Sequence, residues 1–186
     1  AKIVEIGGQA GHDAQIKRNV GFNSAIEGTN IEVLDAQACE QWQTAMAQAI
    51  AEDFITKYGD DIDGVFCHWD NGATGVIEAF KAAGMDGKFI VGVDGNRAGF
   101  AQVKSGEQAA SIAQNFETFA VKALSLTKDL LDGKDIQVVN FVDLDIVTLD
   151  NGQILHADAV MAATGRTPNI AGLGLDAQGV LLNGKG

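Results

Sequence analysis

Five side chains suited to holding a hydroxyl-rich ligand lie at or near the ends of short apolar runs. Arg18 offers a fork of hydrogen-bond donors, Asp94 a bidentate acceptor, and Gln114 an amide that can both donate and accept. Trp42 and Trp69 offer flat apolar faces. Because a sugar has hydroxyl groups around its rim and C–H faces above and below, this set predicts binding of a sugar-like ligand. Alternatively, each tryptophan can belong to the core, and an aspartate at such a place can be a turn or N-cap residue.

No common catalytic or nucleotide-binding motif is present in the sequence. GxSxG, HExxH, GxxxxGK[ST] and GxGxxG are all absent. His12 with Asp13 and His68 with Asp70 lack a partnered nucleophile nearby, so we interpret them as surface or strand-end polar groups. We therefore predict a binding protein that is not an enzyme and that has no catalytic residues, cofactor or metal.

The two cysteines, Cys39 and Cys67, form no CxxC pair and have no zinc-like spacing with the histidines. Free cysteine usually behaves as a small buried hydrophobe. We therefore expect two buried thiols rather than a disulfide or a metal site.

Short apolar runs alternate with helical patterns along most of the chain. Predicted strands cover 2–6, 31–34, 64–70, 89–93, 109–113 and 138–147, and predicted helices cover 13–26, 42–58, 71–83, 99–104 and 116–132. This alternation predicts an α/β fold in three layers, with a mostly parallel sheet covered by helices on both faces. In open sheets of this kind the ligand lies beyond the carboxyl ends of the strands, which is where the candidate side chains gather.

Acidic residues dominate the charge, but not evenly along the chain. The 186 residues carry a formal net charge of −12, which disfavours nucleic acid and anionic membrane surfaces as partners. Residues 151–186 hold two acidic and two basic residues, so the whole net charge falls in residues 1–150. No apolar run is long enough for a membrane span, and we expect no uncleaved signal peptide.

Residues 1 to about 150 resemble the ribose-type periplasmic sugar-binding proteins, the receptors of ABC importers, in motif order and spacing. The motifs are KIVEIGGQAG, KRNVGF, VFCHWDNGATGVIEAFKAAGM, VGVDG, AASIAQ and VDLDIVT. The resemblance implies the C-terminal lobe of a type I periplasmic-binding-protein fold, a sugar or polyol ligand, a periplasmic location and a membrane permease as partner.

The same resemblance implies roles for single residues. Arg18 and Asp94 match hydroxyl-binding residues, Gln114 a hinge-side glutamine, and Trp42, after a one-residue shift, an aromatic stacker. Trp69 departs from the family, which commonly has asparagine there, and this favours a less polar polyol, a deoxy sugar or a cyclitol. His68 is expected beside the ligand.

The chain begins at the strand that would open the second lobe, so we expect the first lobe and its ligand contacts to be absent. Weak or undetectable sugar binding by this chain alone is then the prediction. An alternative is the effector lobe of a lactose-repressor-type regulator, which shares the fold. The negative charge and the absence of a basic helix-turn-helix segment argue against that alternative.

The segment from about residue 147 resembles the glutathione-reductase-like flavoprotein disulfide reductases, through the string ADAVMAATGRTPN. The resemblance places Gly165 and Arg166 near a flavin. Both dinucleotide fingerprints and the CxxxxC pair of that family are absent, so no cofactor is expected. We predict a junction near residue 150, followed by a reductase-like and β-rich tail at 151–186 that can be partly disordered. A hairpin of 146–149 with 153–155 and a strand at 158–162 are expected. A fragment of an FAD/NAD(P)-dependent disulfide reductase is the alternative function.

Overall fold

The computed structural model describes residues 1–142 and 145–148. Strands and helices alternate from one end of this part to the other, as the sequence predicts. The elements are β1 (Lys2–Gly7), α1 (Asp13–Ile26), β2 (Glu32–Ala38), α2 (Thr44–Tyr58), β3 (Gly64–Cys67), α3 (Asp70–Ala82), β4 (Phe89–Asp94), α4 (Arg97–Ser105), β5 (Ala110–Ala113), α5 (Phe116–Leu131) and β6 (Asp145–Thr148).

A single sheet of the described residues has the strand order β2-β1-β3-β4-β5-β6. Neighbouring strands from β2 to β5 run parallel, and β6 is antiparallel to β5. Helical crossovers connect the parallel strands, since parallel neighbours cannot be joined by a tight turn. The predicted mostly parallel α/β sheet is confirmed.

Helices cover the sheet on two faces, and alternation along the strands decides which residue faces which layer. Val65 and Cys67 of β3 belong to the core cluster that α2 and α3 bury with β1 and β4. Phe66, between them, faces the other way and stacks on Phe22 of α1, with ring centroids 4.5 Å apart. The three-layer arrangement brings α1, and with it Arg18, over the face opposite the main core.

Several predicted boundaries are wrong by two residues or more. The second strand runs on to Ala38 instead of ending at residue 34, and the fourth helix begins at Arg97. The second helix begins at Thr44, because Trp42 lies in a 3₁₀ turn, where it and Gln41 have positive φ of 57° and 56°. The third strand ends at Cys67, because Asp70 already starts α3. In the predicted extended segment 138–147, the described residues form a strand only from Asp145, which pairs with Ala113.

The last helix, α5, lies where the sequence predicts it, yet it buries none of its residues. Leu124 and Leu131 of its apolar stripe are 71% and 84% exposed.

In the described part of the chain no helix combines the length and apolar character that crossing a membrane requires. Cys39 and Cys67 are both free and buried, which confirms the expectation for the thiols. The predicted 153–155 and 158–162 strands and the reductase-like tail lie outside the described residues.

Candidate ligand-binding site

The five candidate side chains come together at the carboxyl edge of the sheet. Trp42 follows β2, Trp69 follows β3, Asp94 ends β4 and Gln114 follows β5. Arg18 reaches the same edge from α1, where it contacts both the end of β3 and Asp94. Because these strands run parallel, their carboxyl ends meet on one side, and residues far apart in sequence become neighbours.

Asp94 is the centre of the polar part of the site. Its Oδ1 accepts a hydrogen bond from Gln114 Nε2 at 2.7 Å and lies 3.4 Å from Arg18 Nη2. Arg18 Nη1 donates to the main-chain carbonyl of His68, which fixes the guanidinium beside the carboxylate. The arrangement presents a cation and an anion side by side, a pair that can donate to and accept from neighbouring ligand hydroxyls.

The electrostatics of Asp94 show a carboxylate that is not fully compensated. Burial raises the pKa of the Asp94 carboxyl above its ordinary value, and the nearby charge of Asp70 adds to this. Arg18 and Gln114 act in the opposite direction without cancelling the rise. Asp94 also has φ of 120°, a region that L-residues rarely adopt. Strained backbone and partly desolvated carboxylates are found at functional sites and in structural ion-pair networks, so Asp94 is a candidate functional group.

Two indole rings form a corner beside this charged pair. The ring centroids of Trp42 and Trp69 are 5.4 Å apart and the rings are nearly perpendicular, at 87°. The Trp42 ring lies against the backbone of Gly8, where a Cβ atom would come within 2.0 Å of it, so only glycine permits this position. Arg18 lies over the same ring at 5.6 Å from its centroid, a cation–π contact.

An open cavity of about 250 Å³ lies between the polar pair and the aromatic corner. Its lining consists of His12, Ala14, Arg18, Trp42, Trp69 and Asp94. Four of the five candidate residues therefore line it, whereas Gln114 supports Asp94 through a hydrogen bond. His12, interpreted from the sequence as a surface or strand-end polar group, is exposed and also lines the cavity. Its position as the N-cap of α1 could have indicated this place.

Asp70 forms a second polar cluster behind the cavity. Its fully buried carboxylate accepts hydrogen bonds from Ser111 Oγ at 2.8 and 2.9 Å, from Gln108 Nε2 at 3.0 Å and from the Asn96 amide at 3.1 Å. Ser111 Oγ also accepts from the amide of Gly95 at 3.1 Å. These bonds hold the turn that follows β4, and the position of that turn fixes the direction in which the Asp94 side chain points. No sequence pattern indicates this cluster beyond the position of Asp70 at a strand end.

His68 lies elsewhere than expected. Its side chain is fully buried on the α1 face of the sheet, where Nε2 lies 2.7 Å from Glu5 Oε1, and it does not line the cavity. Asn19 of α1 donates to both oxygens of Glu5 at 3.0 Å. The reason is strand alternation, which turns residue 68 away from the side occupied by Cys67. Only the His68 carbonyl touches the site, through Arg18. His68 and Asp70 both lie just after the end of β3, as expected for strand-end groups, but both are fully buried rather than on the surface.

Burial of Glu5 opposes its ionisation, but the hydrogen bonds from His68 and Asn19 prevail and lower the pKa of the Glu5 carboxyl.

Among residues 1–142 and 145–148, no group of three His, Cys, Asp or Glu side chains is arranged to hold a metal ion. Gly165 and Arg166, the residues that the reductase resemblance places near a flavin, lie outside the described residues.

Sequence comparison identifies relatives for most of this chain. Residues 1–135 match the family model described as a periplasmic binding protein domain. The chain is 31% identical over 147 residues to the ribose import binding protein of Salmonella typhimurium, covering 79% of this chain and 49% of that protein. It is 30% identical over 150 residues to the xylitol-binding protein of Mycolicibacterium smegmatis, covering 80% and 43%.

Structure comparison agrees with the sequence. An ABC transporter periplasmic solute binding protein from Actinobacillus succinogenes, solved with bound D-allose, matches with a TM-score of 0.74 and 26% identity. The match covers 79% of this chain and 51% of that one. The chain thus spans about half the length of the curated relatives it matches.

Proposed function

The chain belongs to the periplasmic binding protein domain family, and from this premise we propose that its cavity binds a sugar or polyol. The observation that carries the proposal is the Arg18–Asp94 pair facing the Trp42–Trp69 corner across one cavity. The charged pair would form hydrogen bonds to ligand hydroxyls, and the two indoles would make apolar contact with ligand C–H faces. Gln114 would keep the Asp94 carboxylate in place. The role is binding rather than catalysis.

The relatives support a proposal for the wider setting. The Salmonella protein is named for ribose import, and the Actinobacillus protein is described as a periplasmic part of an ABC transporter. We propose the corresponding role here: a receptor lobe in the periplasm that serves import of a sugar or polyol through a membrane permease.

The lobe is proposed to end near residue 150, with 151–186 as a separate segment. The family match runs to residue 135, and β6 closes the edge of the described sheet at Thr148. The step from strongly acidic to balanced composition falls at the same place.

Binding is expected to be weak, because the cavity is open and would leave one side of a ligand in contact with water. Pockets with high affinity enclose most of the ligand surface. The test is an NMR titration of the ¹⁵N-labelled chain with ribose, allose and xylitol up to high millimolar concentration. We expect saturable shifts at the amides around Trp69, Asp94 and Gln114.

A matched pair of variants on α1 provides the control. Arg18→Gln removes a cation that touches Asp94, and Lys17→Gln removes a neighbouring exposed cation paired with Asp13. The shifts should disappear in the first variant and persist in the second. The proposal fails if no sugar or polyol causes saturable shifts, or if Lys17→Gln abolishes them as completely as Arg18→Gln. Micromolar affinity in calorimetry would contradict the expectation of weak binding.

A further inference from the structure

The two tryptophans differ in what they can offer a ligand. Trp42 is half-buried, whereas Trp69 is only 4% exposed. The Nε1 atom of Trp69 is buried and has no hydrogen-bond partner among the described residues. Trp69 nevertheless lines the cavity, so the surface that it presents there consists of ring carbons.

Trp69 stands between two segments that prevent its ring from turning to expose this donor. A Cβ atom on Gly72 would come within 2.5 Å of Trp69 Cε2, so the indole is packed tightly against the start of α3. The nearly perpendicular Trp42 ring is a second close neighbour, with its centroid 5.4 Å from that of Trp69. Rotation of the indole toward the cavity would require both neighbours to move.

The polar groups that line the cavity are all on other residues. Arg18, Asp94 and His12 supply the charged and hydrogen-bonding atoms, and Ala14 and the two indoles supply carbon. A hydroxyl group placed against Trp69 would lose its water and gain no partner there. A methyl or methylene group at the same place would lose nothing and would gain apolar contact.

We propose that the cavity selects a deoxy sugar, or a polyol with an unsubstituted methylene, over its fully hydroxylated counterpart. Neighbouring hydroxyls of the ligand bind Arg18 and Asp94, and the deoxygenated carbon lies against the ring of Trp69. This inference rests on the proposed function, since it concerns the choice among sugars at the same cavity. The expected preference is on the order of 10- to 100-fold, the range by which apolar pockets discriminate single groups.

The test compares ligands that differ in one hydroxyl group. The probes are D-ribose with 2-deoxy-D-ribose, D-galactose with D-fucose, and L-mannose with L-rhamnose, each titrated into the ¹⁵N-labelled full chain. The deoxy member should bind about tenfold or more tightly in at least one pair, and no hydroxylated member should be preferred by that factor. Equal affinity within every pair, or a preference for the hydroxylated member, overturns the inference. If no probe causes saturable shifts, the proposed function itself fails and the preference falls with it.

Two further measurements distinguish the contact of the Trp69 ring with the ligand from its packing in the core. In the unaltered protein, the ring C–H signals of Trp69 should shift with a deoxy ligand while its indole N–H signal shows no new hydrogen bond. A ligand-dependent downfield shift of that N–H overturns the inference without any substitution. Trp69→Phe, which keeps a carbon wall, should retain the preference, and loss of the preference in a folded Trp69→Phe protein would also contradict it.

Discussion

Two carboxylates at the same edge of the sheet have opposite surroundings. Asp70, just after β3, is fully buried and accepts hydrogen bonds from a hydroxyl, a side-chain amide and a main-chain amide. Asp94, at the end of the neighbouring β4, is partly exposed, has one amide and one guanidinium beside it, and has a strained backbone. The difference distinguishes a carboxylate that holds the structure from one that retains capacity for a ligand. Position at a strand end does not distinguish them, since both occupy one.

The largest effect should come from removing the Asp70 carboxylate. In Asp70→Ala, the buried donors of Ser111, Gln108 and Asn96 lose their acceptor, and we expect a loss of about 3 kcal/mol in the free energy of unfolding. Urea denaturation measures it, with Asp86→Ala, an exposed aspartate, as the control. A loss below about 1 kcal/mol would show that the cluster is not a structural anchor.

The same anchor can be tested from its other side. A Cβ atom on Gly99 of α4 would lie 2.2 Å from Asp70 Oδ2, whereas Gly21 of α1 has open space around it. Gly99→Ala should therefore destabilise the protein, and Gly21→Ala should stabilise it by about 0.5–1 kcal/mol through helix propensity. Similar effects of the two substitutions would contradict the close packing of α4 on Asp70.

The sequence predicts the fold well because apolar periodicity and glycine breaks are local signals. The order of strands and helices, the mostly parallel sheet and the carboxyl edge follow from such signals, and the structure confirms them. The start of α2 at Thr44 was missed because Trp42 lies in a turn with positive φ, and its ring packs against Gly8, which is distant in sequence. Asp70 and the buried Glu5–His68 pair were missed because their partners are 14 to 63 residues away, and no local pattern indicates them. The strand ends predict that Asp94 and Gln114 lie at one edge of the sheet, but no sequence pattern indicates the direct contacts of Asp94 with Gln114 and Arg18.

A smaller effect, and one that depends on pH, should come from Glu5, which resembles Asp70 in burial but lies on the opposite face. Its pKa is lowered from 4.5 by His68 and Asn19, against the effect of burial. The unfolded chain therefore binds this proton more readily, so the stability contributed by Glu5 is present above pH 4.5 and is lost as pH falls through the lower folded value.

The measurement is urea denaturation of the unaltered protein and of Glu5→Gln across the acid range. The unaltered protein should lose more stability on acidification than the variant does, because the variant has no proton to take up at this position. Parallel pH curves would show that the hydrogen bonds to the buried Glu5 carboxylate contribute nothing to stability. The structural role assigned to the buried carboxylate of Asp70 would then not extend to Glu5.

The smallest effect on stability should come from Asp94→Asn. Burial raises the Asp94 pKa, so the folded state disfavours the charged form, and the contribution of Asp94 to stability declines as pH rises through its folded pKa. At neutral pH the neutral amide should leave the free energy of unfolding within about 1 kcal/mol of the unaltered protein, or slightly higher. Sugar-dependent NMR shifts should nevertheless disappear. A loss of stability as large as that of Asp70→Ala would erase the distinction between the two carboxylates.

The perpendicular pair of Trp42 and Trp69 has an optical consequence. These are the only two tryptophans of the 186-residue chain, and their centroids are 5.4 Å apart. Indole fluorescence excited selectively, away from the tyrosine band, therefore originates entirely at the cavity and carries no background from the rest of the molecule. At this separation the two chromophores also couple, so their near-perpendicular rings should contribute a paired band to the circular dichroism spectrum. The protein thus carries a built-in, label-free reporter of whether its cavity is occupied.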